Sequence, residues 1–318
     1  MSMHFRDLAA KAAADGTITA QEILALRQSG WMNGTITPDE AEAVFAANDA
    51  LSDPSSLWSD FFVEAICVYL VDHVEPRGYV SEENADWLIA RIDRDGRLES
   101  MTELELLVRV FEKALSVPDR LREYALHQVE QAVLTGEGPT RRGGMLEAGN
   151  VTQAEARMMR RIVFSSGSER PAAVSRGEAE MLYRIKDATL DADNAPEWKR
   201  LFVQGVGNYL MGFVRHNELS RERAAQLNAF MSDSKSSVGG FFARVGKSAA
   251  SGNFFEAIGE AFRKEAAGPN DAERAEVERA VTEQEQAWLE DKLDGNGRID
   301  EYDAALLDFL NEEAGFSR

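Results

Sequence analysis

The sequence predicts an all-α protein made of two duplicated multi-helix lobes, and three observations carry that reading. One short phrase recurs along the chain: a turn, an apolar residue, Ser or Thr, then an acid three places later. The stretches after it hold apolar residues at helical spacing, while strand patterns are nearly absent. Two long segments of the first half reappear, side chain for side chain, in the second.

The phrase is clearest in "ADGTITAQE" at 14–22 and "MNGTITPDE" at 32–40. Its apolar position is filled by Ile18, Ile36, Val80, Leu98, Val151, Val174, Leu219 and Ile299. The next residues are Thr19, Thr37, Ser81, Glu99, Thr152, Ser175, Ser220 and Asp300, and all but Glu99 are of the kind that caps a helix N-terminus through a side-chain oxygen. Glu22, Glu40, Glu155 and Glu178 stand three residues after a Thr or Ser. Each completes a capping box, in which cap and acid satisfy one another's free backbone donor. Pro38, directly after Thr37, sits where a first-turn proline is tolerated. The phrase therefore predicts a helix start, and "AQEILALRQS", "DEAEAVFAAND", "ENADWLIARI" and "GEAEMLYRI" carry the helical periodicity that should follow.

The duplication rests on two alignments. Trp58, Phe62, Val63, Tyr69, Leu70 and Val74 of the segment 57–74 match Trp198, Phe202, Val203, Tyr209, Leu210 and Val214 of 197–214 without a gap. Likewise "DWLIARIDRDGRLES" at 86–100 resembles "AWLEDKLDGNGRIDE" at 287–301, with Trp87 facing Trp288. These alignments predict lobes over 1–134 and 148–318, joined by a link at 135–147 that begins "TGEGPTRRGG". The second lobe carries a Gly- and Ser-rich insertion at 231–253. After it, Phe254, Phe255, Ile258, Ala261 and Phe262 share one helical face.

Charge and cysteine usage narrow the function. Fifty-five acidic against 35 basic side chains leave a formal charge of −20, which opposes nucleic-acid phosphate and anionic lipid and favours cations or basic partners, a protein partner being expected. The longest apolar run, "AICVYLV" at 65–71, is far short of the roughly 20 residues that span a bilayer, so no transmembrane segment is expected. Cys67 is the only cysteine, and the opening "MSMHFRDLAAKAAADG" lacks the apolar core of a signal peptide. Both point to the cytoplasm.

The repeated phrase resembles the second half of an EF-hand calcium loop, in which a Gly makes the bend, an Ile pairs with the neighbouring loop and a final acid closes the site. That resemblance implies oxygen ligands at the first, third and fifth loop positions, because a hard cation exchanges its water for six to eight oxygens. The opening frame instead supplies Lys11, Ala13 and Asp15, the second Ser29, Trp31 and Asn33, and the fifth Gly144, Leu146 and Ala148. In these frames the acid serves the cap. The best candidate is "KLDGNGRIDEYD", with Asp294, Asn296, the Arg298 carbonyl, Asp300 and Asp303 as ligands and Lys292 against it at the first position. The weaker one is "RIDRDGRLESMT", with Asp93 and Asp95. The expectation is mostly metal-free EF-hand-like repeats with at most one weak calcium site and no other cofactor. "AAADGTITAQE" is also similar to the line "DG-x-I-x-x-x-E" of the helical tellurite-resistance B-type domain, a bacterial stress-associated module, which is the runner-up.

Other chemistry is thin. "GGFFARVGKSA" at 239–249 resembles a phosphate-binding loop, but Gly240 is one residue too far from Gly246 and no strand precedes it. His4, His73, His127 and His216 are scattered, and Glu123, His127 and Glu130 share a helix face without forming a di-iron motif. The sequence thus predicts a non-catalytic helical binding or scaffold protein. The alternative is an enzyme whose residues assemble only in three dimensions.

Overall fold

The computed structural model describes residues 2–12, 14, 16–30, 35–51, 54–94, 96–98, 100–141, 149–165, 174–214, 284–285, 287–293 and 299–313. The described chain is mostly helical, as predicted, and divides into two compact units, 1–172 and 173–318. No described helix is long and apolar enough to cross a membrane. The Ser220 frame, the 231–253 insertion, the phosphate-loop look-alike and the Phe254–Phe262 face lie outside the described residues.

The first unit runs α1 (Ser2–Ala12), α2 (Ala20–Gly30), α3 (Pro38–Ala50), α4 (Ser56–Val68), α5 (Glu82–Ile92), α6 (Met101–Lys113), α7 (Asp119–Thr135) and α8 (Gln153–Val163). Helices α1 and α3 pack together, α4 lies against α6, and α7 and α6 both receive α8. The apolar segment 57–74 is α-helical only to Val68; Tyr69–His73 form a π-helical turn. Its only sheet among the described residues is a minimal hairpin, β1 (Asp93–Arg94) with β2 (Arg97–Leu98), bent at Gly96. There φ is +85°, a conformation that costs glycine little. Gly136, at φ +74°, ends α7 in the same way. Beyond it, Pro139 and Arg141 of the expected link are buried. The second unit comprises α9 (Arg176–Ala188), α10 (Pro196–Val214), a helical stretch at 287–293 (α11) and α12 (Glu301–Glu313), with α9 and α12 packed on α10.

Every described copy of the phrase starts a helix. Complete capping boxes stand at Thr19 with Glu22, Thr37 with Glu40, Thr152 with Glu155 and Ser175 with Glu178. Ser81 caps α5 without an acid, accepting from the Asn84 amide. In the Leu98 frame, where the phrase offers no capping residue at 99, the α6 cap is the next residue, Ser100, and Glu103 completes its box. A serine oxygen reaches the third amide of the helix at short range, so one extra residue after Leu98 moves the helix start by one.

The apolar residues of the phrase are buried at Ile36, Val80, Leu98, Val151 and Val174. Their amides do not serve loop-to-loop pairing of the EF-hand kind at four of these positions. Ile36 donates to His73 Nδ1 (2.7 Å), Val80 to the Ser116 carbonyl (3.0 Å), Leu98 to Gln128 Oε1 (3.0 Å) and Val174 to Asn208 Oδ1 (2.8 Å). Each turn is thus pinned by a different part of its own unit. Thr37→Ala should cost about 1 kcal/mol, the usual loss for an N-cap, with the same figure in EDTA and in calcium. Urea unfolding in the two buffers checks this. A loss that appears only with calcium would restore a ligand role for the phrase.

Candidate functional site

The acids that close the phrase were expected to serve caps, with metal chemistry only in the 292–303 frame and, more weakly, at Asp93 and Asp95; in two frames the closing acid is held by one of the chain's own cations. In the second unit Asp300 caps α12. Its Oδ1 accepts from the amides of Tyr302 (2.8 Å) and Asp303 (3.0 Å), while Asp303 Oδ2 accepts from the Asp300 amide (3.3 Å). Into this pair runs Lys186 from the last turns of α9. Its ammonium donates to Asp300 Oδ2 at 2.7 Å and to Asp303 Oδ1 at 3.1 Å, and also pairs with Asp187 at 3.0 Å. Lys186 and Asp303 are fully buried and Asp300 nearly so. Burial, the largest single influence, would raise the Asp300 carboxyl, but the hydrogen bond and charge of Lys186 together with the bonds to Asp303 outweigh it and hold the group below the ordinary range. Burial pushes Asp303 up to about 6.

Of the other expected ligands of this loop, Asp294, Asn296 and Arg298 lie outside the described residues. Lys292 lies near Glu180, whose carboxyl is lowered first by its bond to Arg176 and, more weakly, by Lys292. In the weaker candidate, Asp93 Oδ1 accepts from the Gly96 amide at 2.6 Å and so braces the hairpin bend; Asp95 lies outside the described residues.

The fifth frame repeats the arrangement with arginine. Arg141 places its guanidinium as a fork on Glu155, Nε at 2.6 Å from Oε1 and an Nη at 2.8 Å from Oε2, with both side chains buried. Thr140 Oγ1 (2.9 Å) and the Thr152 hydroxyl and amide complete the shell of Glu155. The Gly- and Arg-containing composition of 135–144 concealed this residue, because a link was expected to be solvated.

Three aromatic contacts of the first unit recur at aligned positions in the second. Phe45 stands eight residues after the cap Thr37, and Tyr183 eight after Ser175. Phe45 meets Phe62 edge to face at 5.2 Å and Trp87 at 5.5 Å; Tyr183 meets Phe202 at 5.0 Å and Trp288 at 5.5 Å. The ring of Tyr69 meets Trp87 at 5.5 Å, and that of Tyr209 meets Trp288 at 5.0 Å. Trp58 and Trp198 are both fully buried. They differ in one bond: Trp58 Nε1 donates to Asn48 Oδ1 at 3.0 Å, whereas Trp198 Nε1 has no partner among the described residues. Asn48 and Lys186 each stand eleven residues after their cap, so the second unit carries the ammonium where the first carries an amide.

The remaining titratable groups do not converge. Among the described residues no three His, Cys, Asp or Glu side chains form a set that could hold a metal ion. His127 stands 3.7 Å from Glu130 on α7, and Glu42, which lines an open cleft of about 850 Å³ with Arg6, Asp7 and Ala43, is engaged by Trp87 Nε1 and Arg91 at 2.8 Å each. Sequence reasoning missed Glu285, a buried carboxyl that desolvation raises to about 8. Burial also pushes the Cys67 thiol up to about 11. The native protein should therefore react with a thiol reagent at neutral pH orders of magnitude more slowly than the unfolded chain. Labelling kinetics test this, and reaction at the rate of a free thiol would contradict the burial of Cys67.

No known protein family, curated protein or solved structure matches the chain.

Proposed function

We propose that the chain is a non-catalytic helical binding protein of two duplicated lobes, whose EF-hand-like turn-helix repeats work without metal and whose acidic surface receives a basic protein partner. The observation that carries the reading is that the buried acids closing the phrase are engaged by internal bonds. Glu40 and Glu178 serve caps, Glu155 serves a cap and Arg141, and Asp300 and Asp303 serve a cap and Lys186. A carboxylate so committed is poorly placed to act as base, nucleophile or ligand. The shared aromatic contacts support the duplicated lobes, since two sequence alignments made at different offsets meet in the same ring pairs. The net charge of −20 supports a basic partner, for which steering would be strong at low ionic strength.

The experiment is affinity purification of the tagged chain from its native host, with bound proteins identified at low and at high salt. A basic protein that is retained at low salt and released as exposed charges are screened is the expected result. Retention only of acidic proteins, or capture unchanged by salt, would remove the electrostatic reading of the surface.

A further inference from the structure

We propose that the Lys186 ammonium is the resident cation between Asp300 and Asp303, a tethered side-chain substitute for a divalent ion, and that Arg141 plays the same part at Glu155. This rests on reading the turns as EF-hand-like, and it explains how such turns dispense with metal. In a calcium loop of twelve residues the ninth and twelfth positions face the ion, the twelfth as its closing carboxylate. Counted from Lys292, these positions are Asp300 and Asp303, and the group between them is Lys186 Nζ, at 2.7 Å from one and 3.1 Å from the other. Counted from Gly144, the twelfth position is Glu155, and the group against it is the Arg141 guanidinium.

The chemistry favours substitution over simple ion pairing at the surface. Two carboxylates that cap one helix start at 300–303 have their charges brought together out of water, which is costly unless a cation lies between them. An ammonium has three donors and a compact charge, and here it contacts Asp300, Asp303 and Asp187, so all three of its donors have a carboxylate in reach. Glu155 presents a single carboxylate, and its partner is the planar fork that matches one carboxylate in bidentate fashion. Lysine where two acids must be bridged and arginine where one must be clamped is the choice the local geometry demands. The equivalent position in the first unit is Asn48, an amide that accepts from Trp58 Nε1 at 3.0 Å and brings no charge.

The test compares the wild-type chain with Lys186→Met, which keeps the stem and removes the charge, using calcium and terbium as probes. Wild type should melt at the same temperature in EDTA and in millimolar calcium and should show no saturable terbium luminescence sensitised by Tyr302 or Trp288. Lys186→Met should melt lower in EDTA, recover part of the loss in calcium, and bind terbium at least about tenfold more tightly than wild type. Adding Asp303→Asn should abolish that gain. If Lys186→Met does not fold in EDTA, refolding it in calcium decides the matter: helical circular dichroism recovered only with the ion supports the substitution, and none recovered with it overturns it. A folded Lys186→Met protein that gains no terbium binding also overturns it while leaving the metal-free reading of the repeats intact. Terbium or calcium binding by wild type overturns both.

Discussion

Arg141→Met is expected to destabilise the first unit by about 3–5 kcal/mol, the loss found when one partner of a buried ion pair is removed. The figure is large because of what stays behind. Glu155 is fully buried, and without the guanidinium its charge would keep, among the described residues, the Thr140 hydroxyl and the cap donors of Thr152. Glu155→Leu in the same background should restore much of the loss, since a neutral, apolar pair of similar volume needs no counterion. It cannot restore all of it, because the α8 capping box is lost at a cost of about 1 kcal/mol. A double-mutant cycle by urea unfolding gives the coupling. A single-mutant loss below about 1 kcal/mol would mean that water reaches Glu155 and that the fork is incidental.

The contrast between what the sequence disclosed and what it hid follows from sequence separation. The boxes at Thr19, Thr37, Thr152 and Ser175 were legible because cap and acid lie three residues apart and the bond closes within one turn. The α6 cap at Ser100 was not read, because the phrase was followed at fixed spacing and its frame there falls on Glu99. The aromatic contacts were half legible: the alignments put Tyr69 with Tyr209 and Trp87 with Trp288, but not Tyr69 against Trp87. Lys186 was hidden, because Asp300 and Asp303 lie more than a hundred residues away and a lysine on a charged helix reads as solvated. The same bias took Arg141 for a linker residue. Asp294, Asn296, Arg298 and Asp95 looked like ligands because spacing is all that a linear motif displays. The side chain that meets their described neighbours Asp300 and Asp303 comes from another helix.

Phe62→Ala and Phe202→Ala should each cost about 3–5 kcal/mol if the two lobes are copies of one another. Both rings are fully buried and both make edge-to-face contacts: Phe62 with Phe45 at 5.2 Å, Phe202 with Tyr183 at 5.0 Å and Tyr302 at 5.7 Å. Truncation removes the buried ring, leaves a cavity that the neighbouring helices fill only in part, and breaks the quadrupole contacts, each worth about 0.5–1.5 kcal/mol beyond the area buried. The Tyr302 contact has a consequence of its own. Because Tyr302 follows Asp300 in the cap of α12, Phe202→Ala should also loosen the Lys186 cluster, whereas Phe62→Ala has no such link to a buried charge. Each variant should therefore move the unfolding transition of its own unit, monitored by tryptophan fluorescence, with Phe202→Ala at the upper end of the range. If Phe202→Ala cost less than about 1 kcal/mol while Phe62→Ala cost several, the second set of rings would not be a core of the same kind, and the repeated contacts would be a resemblance of sequence without a shared energetic role.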